Sequence, residues 1–150
     1  MAGPTKATQV LMLDWLTDTA VATTKFIGLL SGTPSDDAGT GLTEVSTSGT
    51  AYARQSMGLN GSAWAAAAQG ATGAPSSVAN GSAVTFAQAT ASYAGGANIT
   101  YFGLYDASTS GTLVAFGALG TAKPVLSGDT PSFAIGALVL KLGDPTDAPY

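Results

Sequence analysis

The stretch Asn98-Ile99-Thr100-Tyr101-Phe102-Gly103-Leu104-Tyr105-Asp106 decides how this chain is read. It has the length and composition of a β-strand, whose side chains alternate between two faces. Both faces are apolar here, with Tyr101 and Tyr105 on one and Phe102 and Leu104 on the other. In a two-layer β protein one face fills the core and the other meets water, so double-sided apolarity requires a second cover. The N-terminal helix or another subunit is the expected cover. Gly103 lets a backbone or a bulky side chain approach closely, and Asp106 opens the turn "DASTSG" by bonding its own backbone.

Downstream, "GTLVAFGALG" (111–120) is a second strong strand, joined through "STSG", and these two are expected at the centre of a sheet. "KPVLSGDTPSF" holds a short strand and a turn at Ser127-Gly128-Asp129, and "SFAIGALVLKL" closes the domain. Upstream, "SAVTFAQA" is a strand with Val84 and Phe86 on one face. Residues 67–81, poor in large apolar groups, are expected to run over the surface as a long loop. "TAYARQSMGL" (50–59) and "SAWAA" (62–66) are expected to pair across the turn Asn60-Gly61, which readily takes positive φ angles. "TKFIGLL" is the first strand and ends in "SGTPSDDAGTG", an exposed loop whose Asp36-Asp37 pair can bond nearby backbone N–H groups.

Residues 7–21, "ATQVLMLDWLTDTAV", form the one convincing helix. Leu11, Met12, Leu13, Trp15 and Leu16 cover one broad side, and Asp14 and Asp18 project from the opposite edge. That dry side docks on the chain's own sheet or on a neighbouring subunit. The fold class is therefore mainly β: an antiparallel β-sandwich with about eight strands plus one N-terminal helix. Residues 1–22 are expected to form a helical arm and 23–150 the sandwich.

Only 9% of the 150 residues are charged, against about 25% in an average soluble protein, so Ser, Thr, Gly and Ala must supply most of the surface. Such a surface suits permanent contacts. The net charge is -4 and the five basic residues are scattered, so no patch for nucleic acid can assemble. The chain has no cysteine and no histidine, which removes thiol nucleophiles, imidazole bases and the usual zinc or haem ligands. No membrane span of about 20 apolar residues and no signal peptide is legible, and the expectation is a soluble, uncleaved chain.

A hydrolase would need a carboxylate or lysine as its base. The close acidic pairs, Asp14 with Asp18, Asp36 with Asp37 and Asp144 with Asp147, fall on a helix edge, a loop and a tail, and do not converge on one pocket. The glycine-rich pieces lack the spacing of a phosphate-binding loop, and the Asp36 loop lacks that of an EF-hand. No enzyme activity, cofactor or metal is expected. Arg54, in "YARQ", is a charge inside a predicted strand. It can pair with Glu44, stack on Tyr52 of a neighbouring subunit, or end the strand's wet face; the solvated reading is preferred. Trp64, Tyr93, Tyr101 and Tyr105 offer a further possibility, stacking on sugar rings from an exposed sheet face.

The order of the pieces, an apolar helix, "KFIGLLSGTPSDDAGTGLTEV", "GTAYARQSM", "ITYFGLYDASTSGTLVAFGAL" and "KPVLSGDTPSFAIGALVLKL", resembles a group of small tailed-phage virion proteins known as head decoration or tail fibre proteins. The resemblance covers nearly the whole chain and rests on turn and core residues. It implies a β-sandwich of jelly-roll type on the virus exterior, as a trimer or other symmetric unit. Within that group the expected role is a capsid decoration, or cement, protein bound to the major capsid protein, with a tail, collar or fibre module and a host-glycan module as alternatives. Leu11, Met12, Trp15, Leu16, Arg54, Tyr101 and Tyr105 are the interface candidates.

Overall fold

The computed structural model describes residues 12–14, 24–36, 38–59, 62–71 and 74–142. Residues 12–14 are helical, as expected, while the rest of the predicted helix and the Asn60-Gly61 turn lie outside the described residues. The chain is mainly β and antiparallel, with nine strands among the described residues. It divides into two compact units. One holds 25–56 and 85–132, the other 1–24, 57–84 and 133–150.

The first unit is built on four strands of a five-stranded sheet. Strands β1 (Thr24–Gly32), β2 (Leu42–Glu44), β6 (Asn98–Tyr105) and β7 (Leu113–Pro124) lie in the order β2-β1-β6-β7, and β3 (Gln55–Leu59) also pairs β1. The opening stretch is thus β6, an interior strand, with Ile27↔Leu104 and Leu29↔Phe102 on its β1 side and Phe102↔Gly117 on its β7 side. Leu104 is fully buried, and Phe102 and Tyr105 are nearly so, which places both faces of β6 under cover. The expectation that β7 is also central is overturned: among the described residues it is an edge strand, and residues 113–119 are half-buried except for the exposed Val114 and Ala118. Its apolar content serves one lateral neighbour only, a difference that composition does not reveal.

Glycines decide how the aromatics of β6 lie. A Cβ at Gly117 would fall 2.6 Å from Phe102 Cε1, so the Phe102 ring lies across its cross-strand partner. Glycine in a strand normally weakens it, and an aromatic ring laid over the bare backbone compensates. The rest of this unit's core gathers around Tyr52, whose ring stacks on Phe86 at 5.9 Å and meets Tyr93 edge-on at 5.6 Å. Between β1 and β2, Asp36 Oδ1 accepts from the N–H groups of Ala38 and Thr40, the turn chemistry expected of it. A hydrogen bond from the Thr40 side chain first, then these backbone bonds, hold the Asp36 carboxyl below its ordinary value.

The second unit corrects the surface loop expected over 67–81. That segment contains β4 (Ser76–Ala79), paired antiparallel with β9 (Val139–Leu142), and Ser76, Val78 and Asn80 are buried. Asn80 makes the burial possible. Its Oδ1 accepts from Leu138 N–H at 2.8 Å, and its Nδ2 donates to Ser82 O and Ala134 O. Its backbone N–H donates to Leu138 O and its C=O accepts from Gly136. A buried polar side chain is tolerated when every group has a partner, and here hydrogen bonding does the ordering that apolar residues do elsewhere. Trp64 bridges to Asn80 instead of belonging to a hairpin strand. The short β5 (Val84–Thr85) and β8 (Ser132–Phe133) pair separately.

Candidate functional site

The cover over the second face of β6 is the chain's own "YAR" segment. Arg54 stands immediately before β3, not inside a strand, and its side chain is only 8% exposed, which overturns the solvated reading. Its Nε donates to Glu44 Oε1 at 2.7 Å and its Nη2 to Glu44 Oε2 at 2.6 Å, a bidentate pair. Its Nη1 donates to Ala107 O at 2.7 Å and to Ser110 O at 2.6 Å. Glu44 Oε1 also accepts from the Tyr52 hydroxyl at 2.8 Å, and that hydroxyl accepts from Leu29 N–H. One guanidinium therefore ties the end of β2 to the β6–β7 hairpin.

Beneath it lies Tyr105. The guanidinium carbon sits 3.4 Å from the centre of the Tyr105 ring, and a Cβ at either Gly28 or Gly103 would lie 2.9 Å from Tyr105 Cε2. Gly28 and Gly103 are cross-strand partners, so they form a floor without side chains. The result is a three-layer stack of backbone, phenol ring and cation. A cation on an aromatic face is favourable, increasingly so when little water reaches it.

The electrostatics follow from this packing. The hydrogen bonds that Arg54 donates to Glu44 raise its guanidinium further above its ordinary value. Burial, aided by the charge of Glu44, pushes the Tyr105 phenol up to about 12. Burial likewise raises Tyr52. Beside the stack is an open depression of about 350 Å³, lined by residues 44–47, Arg54 and residues 108–110. The two ionised groups point at each other, and the Arg54 guanidinium also points at two hairpin carbonyls, so the arrangement fixes the loops around it.

The hairpin tip is correspondingly well held. Thr112 N–H donates to Asp106 Oδ1 at 2.7 Å, the bond expected of Asp106, and Ser110 and Gly111 take φ of 55° and 70° to close the turn. Of the interface candidates, Arg54 and Tyr105 are brought into contact. Tyr101 is half-buried and meets Phe116 edge-on at 6.0 Å. Met12 is 46% exposed while its neighbour Leu13 is buried, and Leu11, Trp15 and Leu16 lie outside the described residues. Trp64, Tyr93 and Tyr105 are buried and offer no ring face to a sugar. Sequence reasoning missed Gly28; an in-strand glycine opposite Gly103 was the available signal.

This chain also matches, over residues 4–141, the family model described as podophage GP4 fiber I protein gp80. The chain belongs to that family. The gp80 match spans both compact units and accords with the resemblance to small tailed-phage virion proteins. Members of the gp80 family are phage virion structural proteins, and a virion location follows for this one. No curated protein matches the chain.

Proposed function

We propose that the chain is a non-catalytic decoration (cement) protein of the virion exterior, whose symmetric oligomer touches adjacent copies of the major capsid protein and stabilises the shell. The observation that carries this reading is the use of the best-placed charges. Arg54 and Glu44 are spent on internal fastening, which leaves a surface dominated by small uncharged residues and dotted with exposed Leu59, Val114, Leu126 and Ile135. A surface depleted in charge and holding apolar side chains matches the composition of lasting interfaces. Several modest contacts to neighbouring capsomers then add through effective concentration.

Particles stripped of this protein are expected to burst at lower temperature or milder osmotic shock than complete ones. Equal resistance would remove the cement reading. The family description favours a second reading, a fibre or tail module. Copy number separates the two: a shell takes hundreds of copies per particle and a fibre only a few, measurable by quantitative gel or mass spectrometry of purified virions.

A further inference from the structure

The outer edge of β7 carries backbone groups with no strand beside them among the described residues. Their direction follows from bonds on the far side of the sheet. Leu29 N–H donates to the Tyr52 hydroxyl and Leu29 C=O accepts from Val45 N–H, so both backbone groups of Leu29 point away from β6. Backbone groups alternate direction along an antiparallel strand. Phe102, opposite Leu29, therefore turns its own toward β7, where it meets Gly117. Phe116 and Ala118, on either side of Gly117, turn theirs outward.

Long edge strands are usually protected by charge, proline or bulges. Residues 113–122 carry no charge and no proline; Lys123 and Pro124 come only after the register break that follows Ala118. A second irregularity lies between Ala115 and Leu113. The two breaks confine regular pairing to Ala115–Ala118, which favours a finite, defined contact over open-ended stacking.

We propose that this segment pairs antiparallel with the same segment of a second copy, about a twofold axis at Gly117. The side-chain pattern supports a copy of this chain as the occupant. On one face the sheet already alternates large with small: Tyr101 faces Ala118 and Gly103 faces Phe116. A twofold axis at Gly117 continues the alternation, setting Phe116 opposite the partner's Ala118 and Ala118 opposite the partner's Phe116. Both outward-facing residues then exchange N–H and C=O bonds, four in all by the geometry of such pairs. The axis itself passes a glycine, where strands come closest, and no charge meets its own copy across it. The opposite edge of the sheet cannot substitute, because β2 has only three residues and Tyr52 already occupies Leu29. The oligomer is then a twofold pair in place of the expected threefold unit, and this holds wherever on the virion the protein sits.

Light scattering of the full-length protein over a concentration series tests this. The mass of two chains is expected, together with amide exchange at Phe116 and Ala118 that slows as dimer forms, while Ala115 and Gly117 stay slow throughout. Ala118→Pro removes an outward N–H without touching a β6 bond, and Ala118→Glu sets a charge opposite the partner's Phe116. Both should return the mass to one chain with an unchanged circular dichroism spectrum. A mass of one chain at every attainable concentration, a mass of three, or a two-chain mass that survives Ala118→Glu in a folded variant would overturn the proposal.

Discussion

At the scale of single residues, Arg54 holds one carboxylate and two hairpin carbonyls at once. Truncation to alanine leaves Glu44 without its cation and the carbonyls of Ala107 and Ser110 without a donor. Breaking a largely buried pair in this way costs about 3 kcal/mol. Arg54→Ala should therefore lower the melting temperature by roughly 6–12 °C, at the usual sensitivity of a chain this long. Arg54→Lys keeps the charge but loses the planar fork and the stack on Tyr105, so calorimetry should place it between wild type and alanine. The phenols add a pH dependence. Burial raises Tyr105 to about 12 and raises Tyr52 as well, so the folded state prefers both protonated. The Tyr105 contribution is complete below the ordinary phenol value of about 10 and is lost as pH climbs through about 12. Tyr105→Phe should flatten that alkaline loss, read as denaturation midpoint against pH; an unchanged alkaline limb would contradict the assignment. Asn80 offers a residue-level test in the other unit. Asn80→Ala abandons Leu138 N–H and two carbonyls and should cost about 3 kcal/mol. Asn80→Asp keeps the acceptor but turns an oxygen toward Ser82 O and Ala134 O, so chemical denaturation should find it destabilised also.

At the scale of elements, the sheet is organised by which strands carry glycine opposite an aromatic. Gly103→Ala would place a methyl 2.8 Å from Leu113 Cδ1, 2.9 Å from Tyr105 Cε2 and 3.1 Å from Leu30 Cδ1. Overpacking of that kind costs about 1–3 kcal/mol, and it should also loosen the Arg54 stack, visible as faster amide exchange across 107–112. The opening sequence announced this crowding correctly, because apolar groups on both faces of 98–105 demanded a second cover. It could not name the cover, since Arg54 and Glu44 meet the strand only after the chain has folded back from more than forty residues away. The 67–81 segment shows the reverse failure. Its small polar residues read as loop, yet β9 supplies a ladder and Asn80 supplies the bonds that allow burial.

At the scale of the whole molecule, the family match and the charge-poor surface place the protein among structural components of the phage particle. Immunogold labelling of particles should show signal around the head if the cement reading holds, and signal only at the tail would transfer the protein to the fibre reading. The sequence by itself determined the class of the fold, the exposed turns at Asp36 and Asp106, and the scarcity of charge, because periodicity, turn chemistry and composition are local properties. Tertiary structure alone decided that the Arg54 side chain is largely covered, that β7 is an edge among the described residues and that Asn80 is a core residue. Each of these depends on a partner distant in the chain, and a side chain's environment is set by what folds against it.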